Sequence, residues 1–416
     1  MSNAIPAQRT GTPHRPARRI SWDLLRVVAI ACVLFHHATE TSFASHPELG
    51  EPPFGFPLSM GAGALMVISA YFACATLDKG APLRFLRSRL ARLLPAYVVA
   101  VLLTYAVQLW VAPAGSSQLD LRDLVYNLLL VPGWFPDVDL VDFAYWTVPL
   151  QVMAFTAGAL LYRRVSGTSL RVLLWALIIG PLLLRPLLDQ SATLLTVYNG
   201  LVLHRAQLFA AGIAIWLWSK GRLGNGHLAA LLAAALLAQA VHSSEPGSTV
   251  GLGVLLVAVC AAAAGPDWSP LRVLARPINW LAGISYGVYL VHQQIGTTVM
   301  MRIASLGGGP WTLLAGFLTS AVVLGWLLTA VVERPAYRWL TAASRGPVLV
   351  RLVLAVRLYT FRLVGGIPVQ SQLGSLGTLP LSREPSWRPV SQPIMSAAAP
   401  LTVEVSSLPP LSSQLR

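Results

Sequence analysis

Long apolar runs separated by short polar stretches, many of them rich in arginine, set the pattern of this chain. The runs are Arg19 to Thr41, Leu58 to Leu77, Leu93 to Val111, Trp146 to Tyr162, Leu170 to Leu184, His204 to Trp218, Leu228 to Val241, Val250 to Ala264, Ile278 to Met301 and Trp311 to Val332. A helix of roughly 20 apolar residues crosses a hydrocarbon layer of about 30 Å, and most of these runs approach that length. The pattern predicts an all-α, polytopic membrane protein of about ten transmembrane helices. Lys79, Arg84, Arg87, Arg89 and Arg92 form the densest basic cluster between two spans, and Arg163, Arg164, Lys220, Arg222, Arg272 and Arg276 mark further loops. Positive residues gather on the inner side, so these loops and both termini are expected to be cytoplasmic.

The same pattern divides the chain. Residues 1–18 read as a flexible, basic cytoplasmic arm, residues 19–340 as the transmembrane domain and residues 341–365 as an apolar and basic segment on the membrane surface. Arg351, Arg357 and Arg362 fall on more than one helical face, which argues against a clean interfacial helix there. Residues 366–416 are rich in Ser, Pro, Leu and Gln without periodicity and read as a disordered tail. No internal repeat of 20 to 50 residues is visible. Arg15, Arg18 and Arg19 ahead of an apolar run resemble a secretory signal, but Arg26 interrupts the run and two histidines follow, so the first helix is expected to be retained.

Composition supports the membrane assignment and narrows the partners. With 55% hydrophobic and 11% charged residues and a mean hydropathy of +0.63, a water-soluble globule is excluded. The net charge of +14 sits between apolar runs, so it reports topology and anionic lipid rather than nucleic acid. Cys32, Cys74 and Cys260 lie inside apolar runs without metal-ligand spacing, so neither a disulfide framework nor a metal site is indicated.

The first run carries the most costly chemistry. Asp23, Arg26, His36 and His37 lie in a membrane-entering segment, where an ionisable group needs a cavity or a partner. Arg26 and His37 are eleven positions apart, about three turns at ~100° per residue, so they share a face to within about 20°. At ~1.5 Å per residue they stand roughly 16 Å apart along the axis. Ile30 and Val33 lie on the stripe between them, which suggests an apolar groove with a polar group at each end. A neutral imidazole suits a general base, and a cation suits a phosphate. The plainer reading is that His37 bonds to a neighbouring helix and Arg26 reaches the interface. His36 points about 100° away and reads as structural. Arg89 and Arg92, three apart, can converge on one anion or simply mark the inner side.

Further motifs join these. Ser285, Tyr289 and His292 share a helical face, either as hydrogen-bonding glue between helices or as the lining of an acceptor cavity. Trp134, Tyr145 and Trp146 could stack on a sugar ring or belong to an aromatic belt. The run from Trp22 through Arg26 to His37, followed by Ile68-Ser69-Ala70-Tyr71, Arg89-x-x-Arg92 before Leu-Leu-Pro95, Tyr145-Trp146-Thr147-Val148-Pro149-Leu150-Gln151, Ser285-Tyr286-Gly287-Val288-Tyr289-Leu290-Val291-His292 and Glu333-Arg334-Pro335, resembles the ordered signature of the acyltransferase family 3 membrane proteins. The resemblance runs from about residue 20 to 340.

That resemblance implies a multi-pass cell-membrane O-acyltransferase. It would move an acyl group, commonly acetyl, from cytoplasmic acyl-CoA to a hydroxyl of an envelope glycan, a lipid-linked saccharide or a macrolide. It implies His37 and Arg26 as catalytic residues, with His37 as general base or as a brief carrier of the acyl group, and Arg26, Arg89 and Arg92 as the acyl-CoA site. Trp146, Gln151, Ser285, Tyr289 and His292 are candidates for substrate contact. Acyl-CoA is then a donor substrate, no cofactor is permanently bound, and membrane lipids and a sugar-containing acceptor are the other partners. Gln151 stands where the family often has Glu, and an amide can hydrogen-bond but cannot act as an acid or base. Which group orients His37 is therefore open. Ala70 in place of the usual Gly suggests a slightly wider helix contact. The rival readings are a lipid or glycan transporter without chemistry, or an inactive family member that only binds.

Overall fold

The structure is a computed structural model that describes residues 19–113, 119–243 and 246–342. The expected arm over residues 1–18, the tail over 366–416 and nearly all of the 341–365 segment lie outside the described residues. Within them every regular element is a helix.

The chain opens on α1 (Ile20–His36), which continues through a π turn (His37–Thr41) and one further turn (Ser42–Ser45). Arg19 gives α1 no side-chain cap. Instead Asp267 accepts from the Ser21 N–H at 3.1 Å, and Arg19 donates to the Gly265 carbonyl at 2.7 Å. A carboxylate at a helix N-terminus satisfies a free donor and opposes the positive end of the dipole. Next come α2 (Gly61–Leu77), α3 (Pro82–Trp110) and the short α4 (Leu121–Leu128). A 3-10 turn (Phe143–Trp146) leads into α5 (Thr147–Leu161), and α6 (Gly167–Leu184) follows. Then come α7 (Ala192–Gly200), α8 (Ala206–Ser219), α9 (Asn225–His242) and α10 (Pro246–Ala264). The chain ends its described part with α11 (Ala275–Val291), α12 (Gln293–Ser305), α13 (Pro310–Leu327), a second π turn (Leu328–Glu333) and α14 (Arg334–Ala342).

Among the described residues, seven helices are long and apolar enough to cross a membrane, or eight if the pair bent by 45° between Gly200 and Leu203 forms one span. The expected span over Leu58 to Leu77 is the 17-residue apolar helix α2. Three local expectations change. The basic cluster at Arg84 to Arg92 is the start of α3, not a loop. At 29 residues and ~1.5 Å per residue, α3 is about 43 Å long, so its first turns can project beyond a ~30 Å hydrocarbon layer. The run from Ile278 to Met301 is not one helix but two, broken at His292. An unbroken helix would direct the Gln294 N–H to the Leu290 carbonyl; here it donates to Asp142 Oδ2 at 2.9 Å. The other Asp142 oxygen accepts from the Ala144 N–H at 2.8 Å, so one buried carboxylate holds both the 3-10 turn and the break.

The third change concerns Ala70. It is buried, and a Cβ on Gly212 of α8 would meet the Ala70 methyl at 2.6 Å and the Val67 carbonyl as well. The helices are therefore close, with the glycine supplied by α8 instead of α2. Gly287 and Gly325 do the same between α11 and α13, where a Cβ on Gly325 would meet the Val288 backbone at 2.5 Å. Small residues at such crossings are how membrane helices gain close contact when both sides are apolar.

Candidate active site

A cavity of about 660 Å³ lies among α1, α2, the start of α3, α5, α11 and the Glu333–Tyr337 stretch. Four guanidiniums line it, Arg26, Arg89, Arg92 and Arg334, against one carboxylate, Glu333. Each of the three arginines singled out in the sequence is held by its surroundings. Arg26 pairs with Asp23 at 3.1 Å, an aspartate that is only 1% exposed, and lies over the Phe72 ring at 4.7 Å. Arg89 donates to the Phe72 carbonyl at 2.7 Å and to Thr76 Oγ1 at 3.1 Å, with Phe85 and Phe155 on its faces at 5.5 and 5.4 Å. Arg92 pairs with Glu333 at 3.1 Å, and Thr329 at the π turn donates to the other Glu333 oxygen at 3.3 Å. A guanidinium carries five N–H donors, so the bonds of Arg89 and Arg92 occupy a minority of them. Fixed, positively charged forks around one space suit a phosphate.

Farther in, the lining becomes apolar and hydroxylic. Leu65, Met66, Ile68, Leu93 and Phe155 line it together with Ser69, Gln151, Ser285, Tyr286 and Tyr289. Ser69 donates to Gln151 Oε1 at 3.1 Å, Ser285 to the Ala282 carbonyl at 3.0 Å, Tyr286 to the Leu93 carbonyl at 2.9 Å and Tyr289 to the Ala144 carbonyl at 3.1 Å. The Ser69, Tyr286 and Tyr289 hydroxyls thus join separate elements while facing the cavity, whereas Ser285 bonds back within α11.

His37 does not line this cavity. It opens the first π turn, a distortion that recurs at functional positions. Its ring centre is 5.1 Å from that of His292 and 5.4 Å from that of His36, while His36 Nδ1 lies 3.3 Å from the Phe56 carbonyl. His292 in turn stands 5.5 Å from Tyr289, so Tyr289 and His292 lie in sequence between the cavity wall and His37. His37 Nδ1 and His292 Nε2 are buried with no hydrogen-bond partner among the described residues. The expected groove along Ile30 and Val33 is not open. Both side chains are buried in a cluster with Ala38, Val288 and Phe317, and Gly61 packs against Val33. Burying two branched aliphatic side chains is favourable by roughly 1.5–3 kcal/mol each, and α2 supplies the apolar lining of the cavity instead.

Of the expected substrate contacts, Gln151, Ser285 and Tyr289 line the large cavity, and His292 lies behind it. Trp146 is elsewhere. It lines a second pocket of about 300 Å³ with Phe135, Phe143, Asn199, His204 and Arg205, and the Arg205 guanidinium lies over its ring at 5.3 Å. Tyr145 belongs to neither a belt nor a pocket; it is fully buried, with its hydroxyl 3.0 Å from Thr104 Oγ1. The 3-10 turn Phe143–Trp146 connects the two spaces, since Phe143 and Trp146 line the second pocket while Ala144 receives the Tyr289 hydroxyl.

Sequence reasoning missed Asp142, Phe72 and Arg334. Asp142 is one of five carboxylates between Asp120 and Asp142, and nothing local distinguishes it. Phe72 follows the Ile68-Ser69-Ala70-Tyr71 motif directly, which is the signal that could have found it.

Comparison with known proteins shows the family. Residues 19–330 match the family described as an acyltransferase domain. The chain is also similar to a protein of Komagataeibacter xylinus named "Putative membrane-bound transacylase BcsY", at 27% identity over 372 residues, covering 80% of this chain and 86% of that protein. No solved structure matches.

Proposed function

The chain belongs to this acyltransferase family and is a multi-pass membrane protein that transfers acyl groups, and from that premise we propose that its donor is acyl-CoA, its acceptor a sugar hydroxyl and its general base His37. The observation that carries the reading is the cavity in which four guanidiniums face one carboxylate. A CoA nucleotide carries several phosphate charges, and Arg26, Arg89 and Arg92 are placed to receive them at the basic, cytoplasmic end. The pantetheine arm then runs past Leu65, Met66 and Ile68, apolar side chains that would exclude water from a thioester. Gln151, Ser285 and Tyr289 border that path, so they contact the donor arm rather than the acceptor.

At the far end the acceptor oxygen attacks the thioester carbon. A C–O bond forms, the C–S bond breaks, and the hydroxyl proton passes through His37 to the departing CoA sulfur. A positioned imidazole contributes about 10²- to 10⁴-fold to such a step. Arg26 holds the donor and need not touch the reacting carbon. The second pocket, with the Trp146 ring and Arg205 beside Asn199, suits a sugar ring, because an aromatic face stacks on it while polar groups fix its orientation. The transferred group is most simply acetyl.

The test is to incubate membranes containing the protein with radiolabelled acetyl-CoA and candidate lipid-linked, glycan and macrolide acceptors. Label is expected in one acceptor fraction and should be lost with His37→Ala. A folded His37→Ala protein that transfers label at the wild-type rate would overturn the assignment of the base.

A further inference from the structure

A general base needs its ring nitrogen held toward the proton it takes, and the usual device is a carboxylate on the opposite nitrogen. His37 has none. Gln151, which stands where the family often has Glu, accepts from Ser69. Glu40, on the same π turn, accepts the Phe56 N–H at 2.6 Å. The ionisable rings beside His37 are both imidazoles, His36 and His292, and His36 is committed toward the Phe56 carbonyl.

His292 has the form of a partner. It is fully buried and sits at the break between α11 and α12, where its ring is not confined to one helix face. Its Nδ1 lies 2.8 Å from the Tyr289 carbonyl. A carbonyl can only accept, so Nδ1 carries the hydrogen, and the neutral ring then presents its lone pair at Nε2. Among the described residues that Nε2 is buried without a partner, as is Nδ1 of His37. The two rings are 5.1 Å apart between centres, a separation that a ring-nitrogen to ring-nitrogen hydrogen bond can span, and a buried nitrogen left without a bond is costly.

We infer that His292 is the positioning residue for His37: its Nε2 accepts the hydrogen of His37 Nδ1, leaving His37 Nε2 bare to take the acceptor's proton. The tautomer of His37 is set by a relay of neutral groups, Tyr289 carbonyl to His292 to His37, with no carboxylate. The break at His292 has a purpose in this arrangement, because Asp142 holds Gln294 while the ring of His292 lies 5.1 Å from that of His37. The inference rests on the reading of His37 as the base.

Two substitutions separate position from packing. His292→Asn keeps an amide at the level of Nδ1, so the bond to the Tyr289 carbonyl and the local fold can persist, but it places nothing at Nε2. His292→Gln carries an acceptor oxygen out to the level of Nε2. With protein amounts normalised in membranes and acetyl-CoA varied, His292→Asn should lower kcat roughly 10²-fold with KM for acetyl-CoA unchanged, and His292→Gln should stay within about 10-fold of wild type. Adding His292→Asn to His37→Ala should cost nothing more, because the two act as one unit. The inference is overturned if Asn and Gln lose activity equally, if Asn keeps the wild-type kcat, or if the double variant multiplies the two losses. A fully active His37→Ala protein would overturn the reading beneath it and the inference together, whereas a dead His37→Ala beside an active His292→Asn would overturn the inference alone.

Discussion

The two ends of the site are built on opposite principles. At the arginine end every group named in the sequence has a partner: Arg26 with Asp23, Arg89 with the Phe72 carbonyl and Thr76, Arg92 with Glu333. At the histidine end two rings face each other with buried nitrogens that have no partner among the described residues. Partnered charges are rigid and remain charged, which suits recognition of a permanent anion. A buried ring nitrogen without a bond is costly and gains from any donor or acceptor brought to it. Under the proposed function, the difference teaches that donor recognition rests on fixed geometry and reactivity on groups left incompletely satisfied.

Substitutions can break that contrast, and the largest effect is expected at the histidine end. His37→Ala should reduce acyl transfer about 10³-fold or more while leaving acyl-CoA binding intact, which an assay of kcat beside equilibrium binding of the donor would check. At the arginine end the order reverses. Arg89→Ala should raise KM for acyl-CoA by about 10- to 100-fold with a small change in kcat, equivalent to roughly 1.5–3 kcal/mol for a charge-assisted contact. Arg89→Lys should not restore it, since an ammonium lacks both the planar face that lies against Phe85 and Phe155 and the fork that binds an anion at two points.

A third experiment sharpens the comparison by separating stability from binding. Glu333 is 5% exposed, so Arg92→Ala strands a buried carboxylate. Because the Arg92 side chain is itself 54% exposed, the cost should fall well below the ~3–5 kcal/mol of a fully buried pair. Arg92→Ala should therefore unfold at lower temperature in detergent, Arg92→Ala with Glu333→Gln should regain most of that loss, and neither should regain donor affinity.

The smallest effect lies at the start of α1. Burial works to raise the Asp267 carboxyl, but the hydrogen bonds it accepts from Ser21 and neighbouring N–H groups outweigh burial and hold it below the ordinary carboxylate range. A lowered folded value means that the stabilisation is complete above the unfolded value near ~3.9 and is lost as pH falls through the folded value. Asp267→Asn should unfold slightly earlier than wild type at pH 7, and thermal scans should show the difference shrinking below about pH 4.

Much of the architecture was legible because lipid imposes it. Apolar run length fixes helices, and the arginines that gather at Arg26, Arg89 and Arg92 could be brought to one side by charge alone. Features decided by contacts between distant segments were not legible. The break at His292 sits within Leu290, Val291 and Ile295, all apolar and all buried, and the carboxylate that takes up the Gln294 N–H beside it, Asp142, is 152 positions from Gln294. Ile30 and Val33 had the right angle for a groove, but angle does not tell a lining from a packed seam, and the close approach of Gly61 makes them a seam. Trp146 shares a motif with Gln151, yet the turn into α5 sends one to the second pocket and the other to the first. The pairing of His37 with His292 needed both the π turn and the break, and neither leaves a periodic trace.

The reach of that pairing has a consequence for how the protein is made. His37 emerges from the ribosome roughly 250 residues ahead of His292. At about 5–20 residues per second, tens of seconds separate them. During that interval a nascent chain has His37 without His292 and without the bond from the Gln294 N–H to Asp142. A chain that ends before α12 therefore carries the first π turn without the ring that lies beside it in the finished fold.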